Sequence, residues 1–228
     1  KMGATVTSGG ESRDGDTLVI TDATVTAQIE DFSAAAVIPE LRLKELGDGT
    51  VELTLSSAFP VNVGDGNSDA PANVQIEHSN MVTIVSGDPG AVVYDTTADR
   101  LAAQLQIGET EADPVFFKTD YILNGATIGM ATAGGDATQI EMDMDIQSVS
   151  SSVVSKNNVG GFGPSSENST SEYNDVKGTM QLTLPALADM TSFQSAMDAG
   201  LSLSGTVTNG NGTLTQVSEG AFLNMNID

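Results

Sequence analysis

The sequence predicts a mainly β protein in which long antiparallel strands form a curved sheet, a β-roll or a sandwich, with one short helix near 189–199. Apolar residues recur with a period of two along nearly the whole chain, which is typical of strands. These runs are rich in Val, Ile, Leu and Thr and are bounded by Gly, Asp and Asn. The 228 residues are expected to form a single domain, 1–228, long enough to bury a core without covalent cross-links.

The N-terminal half contains the clearest strand signals. Within residues 16–29 the apolar positions before and after Asp22 lie in opposite phases, which predicts a bulge there. Residues 36–63 read as a hairpin, because the Gly-Asp-Gly segment at 47–49 accepts positive φ angles and alternation resumes after it.

The C-terminal half is predicted to contain the longest strands. Residues 114–130 and 137–155 are expected to pair, and 173–185 is expected to pair with 137–155. The segment 156–172 between them is rich in Gly, Ser and Asn, so it is expected to be an exposed, mobile loop and a possible internal boundary.

One window has helical spacing. Met190, Phe193 and Met197 lie at positions i, i+3 and i+7, and Gly200 follows as a stop signal. This pattern predicts the helix near 189–199, packed against the sheet.

Composition and charge restrict the classes of partner. Eight basic and 31 acidic residues give a formal net charge of −23. A field of this sign repels phosphate backbones and anionic lipid headgroups, so we expect neither nucleic-acid binding nor peripheral membrane binding. The chain has no cysteine, which excludes disulfides, thiolate nucleophiles and Cys-ligated metals.

An alternating acidic segment, QIEMDMDIQ at 139–147, raises the question of catalytic carboxylates. Glu141, Asp143 and Asp145 share one side of an extended strand. The other side carries Ile140, Met142, Met144 and Ile146. Because burying unpaired carboxylates costs several kcal/mol each, we expect the methionines to face inward and the acids to face solvent.

The alternative for this segment is a hydrolase that acts through Glu141 and Asp143. Carboxylates two residues apart on a strand lie roughly 6.5–7 Å apart, which falls within the range of inverting glycosidases. Such a pair also requires one carboxylate buried enough to raise its pKa.

His78 is the only histidine of the chain. A single histidine excludes multi-histidine metal centres and leaves one candidate general base. No Gly-x-Ser-x-Gly segment accompanies it, so we expect it to be a structural histidine at a strand end beside a turn.

Two further segments resemble ligand-binding loops in part. DGNSDA at 65–70 begins like a calcium loop, but it has Ala70 where the loop needs Gly and Ile76 where a bidentate Glu belongs. The glycine-rich VGGFG at 159–163 lacks the lysine of a phosphate-binding loop. We therefore predict no catalytic, cofactor-binding or metal-binding residues, and keep a calcium-stabilised envelope or surface module, through Asp65–Asp69, as an alternative.

Three segments resemble a known family: SRDGDTLVITDATV (12–25), ELGDGTVELTLSSAFPVNV (45–63) and MVTIVSGDPGAVVYDTTAD (81–99). Over roughly residues 10–130 the chain is similar to exported alphaproteobacterial proteins catalogued only as a domain of unknown function. The resemblance implies a Gram-negative periplasmic address, a removed N-terminal signal and a β-rich architecture. It implies no catalytic motif and no cofactor.

The sequence thus favours a non-enzymatic periplasmic binding or scaffold module. Nine methionines and no tryptophan make an adaptable interior, which suits an ordinary core as well as a concave apolar face that contacts a lipid or a partner protein of the envelope. A carboxylate-based hydrolase and a calcium-stabilised module remain the two alternatives.

Overall fold

The computed structural model shows one antiparallel sheet of fifteen strands and one short helix, which confirms the predicted mainly β class. It describes residues 3–29, 32–65, 72–108, 115–135, 137–157, 165–186, 193–219 and 224–227. None of the helices in these ranges is long and apolar enough to cross a membrane.

The strands differ widely in length. They are β1 (Gly3–Thr7), β2 (Gly10–Asp14), β3 (Thr17–Ile29), β4 (Phe32–Glu45), β5 (Val51–Leu55), β6 (Ala58–Asp65), β7 (Ala72–Ser79), β8 (Val82–Asp88), β9 (Ala91–Ile107), β10 (Val115–Ala133), β11 (Ala137–Asn157), β12 (Ser165–Pro185), β13 (Ser202–Thr208), β14 (Asn211–Glu219) and β15 (Asn224–Ile227). The helix is α1 (Phe193–Asp198).

The sheet is built in two tiers that share their long strands. In tier A the order is β2-β3-β4-β5-β8-β9-β10-β11-β12-β13. In tier B the order is β1-β3-β4-β6-β7-β9-β10-β11-β12-β14-β15. The long strands β3, β4 and β9 to β12 run through both tiers. Two short strands share each of four other positions, and β15 alone forms the last position of tier B.

The tiers meet along a transverse line at which each ladder between two long strands passes over one pair. The described pairs of β10 and β11 omit Gly125 and Gln147, and those of β11 and β12 omit Gln147 and Asp175. We call this line the seam. It runs through Gly9, Asp22, Pro39, Asp99, Gly125, Gln147, Asp175 and Gly210.

At the seam, the side chains of the long strands change the face to which they point. Leu123 and Ala126, three residues apart in β10, pack in the same apolar cluster, and so do Tyr173 and Val176 in β12. In a regular strand, residues three apart face opposite sides. The reversal follows from a positive φ at the seam, 58° at Gly125.

The predicted bulge at Asp22 is wrong, although the residue lies where the apolar phase changes. Thr21 pairs with Glu40 and Ala23 pairs with Ile38, so the register of β3 and β4 is the same on both sides of Asp22. A bulge would shift that register by one residue. Instead, Asp22 has φ 49° and lies on the seam.

The core is small and follows the seam. Its centre consists of Ala126, Ile146 and Val176, which are paired side by side on three strands and are 3, 2 and 7% exposed. All fifteen strands belong to one sheet, and no large side chain of the described residues is fully buried. The other buried apolar residues include Ala23, Ile38 and Ala98 beside the seam, and Val19, Phe116 and Ala196 away from it.

The predicted loop at 156–172 is wrong over most of its length. β11 continues to Asn157, β12 begins at Ser165, and the two strands pair from their ends inward; residues 158–164 lie outside the described residues. The polar composition indicated a loop, but the backbone of these residues is satisfied by ladders to β11 and β14. The predicted pairing of 173–185 with 137–155 is confirmed.

The helix ends at the predicted glycine, and the first hairpin turns at the predicted segment. Gly200 has φ 100°, its N–H donates to the carbonyl of Met197 at 3.1 Å, and the N–H of Leu201 donates to that of Ala196 at 2.8 Å. This is the Schellman pattern of a glycine-terminated helix. The predicted residues 189–192 lie outside the described residues, whereas the turn at 47–49 lies between β4 and β5 as expected.

Candidate functional site

The acidic residues of β11 face solvent. Glu141, Asp143 and Asp145 are exposed, whereas Met142 and Met144 on the other side of the strand are half-buried. The expected orientation, with methionines inward and acids outward, is confirmed.

The ion pair of this acidic side lies entirely at the surface. Lys177 Nζ is 2.7 Å from Asp145 Oδ2, and this hydrogen bond together with the carboxylate charge raises the pKa of Lys177. Both side chains are at least 60% exposed, so the pair contributes little to stability. The hydrolase alternative requires a buried carboxylate, and neither Glu141 nor Asp143 provides one.

A row of methionines crosses the opposite face of tier A. Met130 pairs with Met142, Met142 pairs with Met180, and Tyr94 pairs with Met130. Directly paired residues of a sheet present their side chains to the same face. We call Tyr94, Met130, Met142 and Met180 the methionine row.

Apolar residues on both sides of the methionine row extend this surface across tier A. The neighbouring rows contribute Leu18, Leu43, Leu53, Ile128, Met144, Val207, Val92, Ile140, Leu182 and Leu203. Together with the methionine row they form what we call the apolar face. Thr83 and Thr96 also lie within the apolar face. Their hydroxyl oxygens are 2.9 Å apart and form a hydrogen bond with each other.

The apolar face is exposed at its outer edge in the described structure. Its outermost strand, β13, exposes 67% of Leu203 and 70% of Val207. The accessible surface of the chain is 13,876 Å². A folded monomer of 23.4 kDa is expected to expose about 9,700 Å², so about 4,000 Å² more is exposed than a compact domain of this size would leave.

In tier B, the face of the sheet that carries the side chain of Asp120 forms a polar groove centred on this residue. Gln104 Nε2 donates to Asp120 Oδ1 at 2.6 Å, Ser152 Oγ donates to Oδ2 at 3.3 Å, and Lys118 Nζ lies 3.7 Å from Oδ2. The carboxylate of Asp120 is therefore engaged by its own neighbours.

Two cavities open along this groove. One, of about 310 Å³, is lined mainly by Asp120, Ser150, Ser152, Thr170, Glu172 and Thr213. The other, of about 260 Å³, adds Gln75, Glu77, Arg100 and Gln104. The predicted concave apolar face does not correspond to these cavities, because most of the residues that line them are polar. The alternating serines of 148–152 are the signal that could have located the groove, since they place Ser150 and Ser152 on one face.

His78 holds a turn. Its Nε2 lies 2.9 Å from the carbonyl oxygen of Ser56, and its backbone N–H donates to the carbonyl of Ser57 at 2.8 Å. These residues connect β5 to β6, and β7 ends one residue after His78, at Ser79. The expected position of His78, at a strand end beside a turn, is confirmed.

The candidate calcium loop is not described beyond its first residue, because 66–71 lie outside the described residues, and VGGFG at 159–163 does as well. Within the described ranges no group of three or more His, Asp or Glu residues could hold a metal ion. The calcium-stabilised module stays a prediction, and an unchanged melting temperature across millimolar calcium and EDTA would contradict it.

Comparisons with known proteins give no relative. The chain matches no family model, no curated protein and no solved structure. The resemblance to exported alphaproteobacterial proteins stays a prediction, and the arguments for a function rest on the two faces of the sheet.

Proposed function

We propose that this protein is a non-enzymatic binding or scaffold module that presents its apolar face to an apolar surface of a partner protein. The observation that carries the proposal is the apolar face of tier A, which lacks a second layer in the described structure. Half-buried methionines fill its centre, and two large apolar side chains stand exposed in β13.

The extent of the apolar face favours a protein partner over a single lipid. Its longest row crosses nine strands from Leu18 to Val207, and neighbouring strands lie about 4.8 Å apart, so the row is about 40 Å long. Stable protein interfaces bury about 1,200–2,000 Å² in total, which is less than the excess surface of this chain. Small-molecule sites are usually concave and lined mainly by apolar side chains, whereas most residues that line the described cavities are polar.

The methionine row favours lipid binding as the second candidate. Thioether side chains adapt their shape to varied apolar ligands, so an acyl chain lying along Met130, Met142 and Met180 is the alternative occupant. The two candidate functions therefore differ in whether a protein or a lipid contacts these side chains.

The reverse face supports the same proposal. In tier A it carries Asp95, Asp143, Asp145 and Lys177, whose side chains are mostly exposed. On the apolar side, Arg13 and Glu45 lie near the β2 end of tier A. The centre of the apolar face is therefore free for apolar contact, and the charged reverse face keeps the isolated protein soluble.

Site-specific photo-crosslinking tests the proposal. A photoreactive phenylalanine analogue placed at Met142 is expected to form a discrete adduct with one protein in cells that express the chain. The matched control is the same analogue at Asp143, the next residue on the opposite face, where no discrete adduct is expected. A lipid adduct at Met142 would support the second candidate, and equal labelling at both positions would contradict a binding role for the apolar face.

The periplasmic address implied by the family resemblance is part of this proposal. The acidic charge supports it only indirectly, because −23 suits an exported protein in a saline medium. Release of the native protein by osmotic shock is the expected result, and recovery with the cytoplasmic fraction would contradict it.

A further inference from the structure

The strand β13 forms a free edge of tier A. Among the described strands it pairs only with β12, and all seven of its residues, Ser202–Thr208, are exposed. It contains no charged residue and no proline. Natural sheet edges are usually protected by lysine, proline or a bulge, so an unprotected edge is a surface on which another strand can add.

The opposite edge of the sheet has the same construction. There β1 and β2 share one position beside β3 and are separated at the seam by Gly9, just as β13 and β14 are separated by Gly210 beside β12. The N–H of Gly9 donates to the carbonyl of Thr21 at 2.9 Å, and that of Gly210 donates to the carbonyl of Asn174 at 2.9 Å. At both edges, therefore, a glycine that is hydrogen-bonded to the neighbouring long strand lies between the two short strands.

The lengths and directions of the two edges are also compatible. Ten strand positions of alternating direction lie from β1–β2 to β13–β14, so the last edge of one copy runs antiparallel to the first edge of another. In tier B, β15 pairs with 216–219 of β14, and among the described residues 211–215 have no partner strand on that side. With Arg13 of one copy opposite Val207 of the next, Thr5–Thr7 of β1 lie opposite 213–215 of this free segment.

We propose that copies of this chain join edge to edge, with β13–β14 of one copy adding to β1–β2 of the next. The two edges are different surfaces, so the contact is heterologous and does not close on itself. Repetition produces a ribbon in which every apolar face lies on the same side. This inference does not depend on the partner proposed for the apolar face.

Net charge opposes this assembly and makes it depend on salt. Each copy carries −23, and the charges next to the contact, Glu11, Arg13 and Asp14, are all in β2. Added salt shortens the range of the repulsion, to about 3 Å at 1 M compared with about 30 Å at 0.01 M. We expect the sedimentation coefficient of the native protein to rise with both salt and protein concentration.

Cysteine cross-linking tests the contact directly, because the native chain has no cysteine. Arg13 and Val207 lie at the two ends of the longest row of the apolar face, because Arg13 pairs with Leu18 and Val207 pairs with Gly178. Paired residues share a face, so a contact that keeps the apolar faces on one side can place Arg13 of one copy opposite Val207 of the next, and Ser12 opposite Thr208. The double variant Ser12→Cys/Thr208→Cys is expected to give a ladder of disulfide-linked multimers under mild oxidation at high salt. The single variants Ser12→Cys and Thr208→Cys are the controls, and the ladder should be lost in both.

Other outcomes would overturn the proposal. A disulfide formed within one chain of the double variant would show that the two edges meet in the same molecule. Dimers of Thr208→Cys alone would show a symmetric contact between two β13 strands, and absence of multimers at every salt concentration would show no edge contact. Met142→Glu, which changes the apolar face and leaves both edges intact, should keep the ladder; its loss would assign the association to the apolar face.

Discussion

Asp22 and Asp175 lie near opposite ends of the seam and have the same left-handed backbone conformation, with φ 49° and 53°. Each side chain lies over the glycine of the adjacent edge: a Cβ added to Gly9 would come within 2.9 Å of Asp22 Cβ, and one added to Gly210 within 3.2 Å of Asp175 Cβ. Asp tolerates this conformation better than most residues, so the sequence can turn its strands over without glycine at every seam position.

Replacement of Asp175 by valine is expected to destabilise the protein. A β-branched side chain disfavours positive φ, so Asp175→Val should lower the free energy of unfolding by about 1–3 kcal/mol. Asp175→Asn is the control. Asparagine tolerates positive φ, so this variant should leave the free energy of unfolding nearly unchanged. Urea-induced unfolding measures both, and equal stability of the two variants would show that the backbone conformation at 175 carries no cost.

Gly125 is expected to be more sensitive to substitution than Gly15, although both have φ 58°. A Cβ at Gly125 would clash with the side chain of Gln147, whereas one at Gly15 would have nothing within 4 Å. Gly15→Ala should cost about 1 kcal/mol from the backbone alone, and Gly125→Ala should cost at least about 1 kcal/mol more.

A second substitution separates the two causes at Gly125. If the side chain of Gln147 is responsible for the additional cost, the double variant Gly125→Ala/Gln147→Ala should recover it in the same unfolding experiment. A double variant no more stable than Gly125→Ala would assign the whole cost to the backbone.

The centre of the small core should dominate stability. Ile146 is 2% exposed and packs between Ala126 and Val176, so Ile146→Ala should lower the free energy of unfolding by about 2–5 kcal/mol. Gln139→Ala, at an exposed position of the same strand, should change it by less than about 0.5 kcal/mol. A small effect at Ile146 would show that the core lies elsewhere in the chain.

The pKa of Asp48 should depend on the hydroxyl of Thr50. That hydroxyl donates to Asp48 Oδ1 at 2.6 Å and the backbone N–H of Thr50 donates at 3.0 Å, and both bonds lower the pKa of Asp48 below its ordinary value of 3.8. Because the folded pKa is the lower one, the stabilisation is present above the unfolded pKa and is lost as the pH falls through the folded pKa.

Carboxyl NMR titration measures this dependence. Thr50→Val removes the stronger donor and should raise the pKa of Asp48 toward its ordinary value, whereas Thr50→Ser keeps a hydroxyl and should leave it lowered. An identical pKa in both variants would mean that the backbone N–H alone is responsible.

Local patterns of the sequence predicted the strands and the orientation of their side chains. The alternation in 139–147 was sufficient to place Glu141 outside and Ile146 inside, because strand side chains alternate by geometry alone. Gly200 was sufficient to locate the end of α1, because a glycine stop acts through its own backbone.

Non-local features could not be predicted in the same way. The phase change at Asp22 was visible, but a seam differs from a bulge only in the partner strand, where Pro39 also drops out of the ladder. The strand at Ser165 was missed because its polar composition suggests a loop, and only the ladders to β11 and β14 stabilise it. The groove around Asp120 gathers residues from several strands, whose order in the sheet no local pattern encodes.

The uncovered apolar face leads to a further prediction about Met142. A side chain half-buried in a single layer has neighbours on one side only, so Met142→Ala should cost less than about 1–2 kcal/mol in the isolated protein. A methionine covered by a second layer would cost about 2–5 kcal/mol when truncated. Urea-induced unfolding of Met142→Ala beside Ile146→Ala decides between these values, because both residues lie on the same strand. A cost at Met142 as large as that at Ile146 would mean that the face is already covered within one molecule, and the binding proposal would fail. A small cost that grows when the partner is added would show that the partner covers the face, since a ligand bound only to the folded state adds its binding free energy to stability.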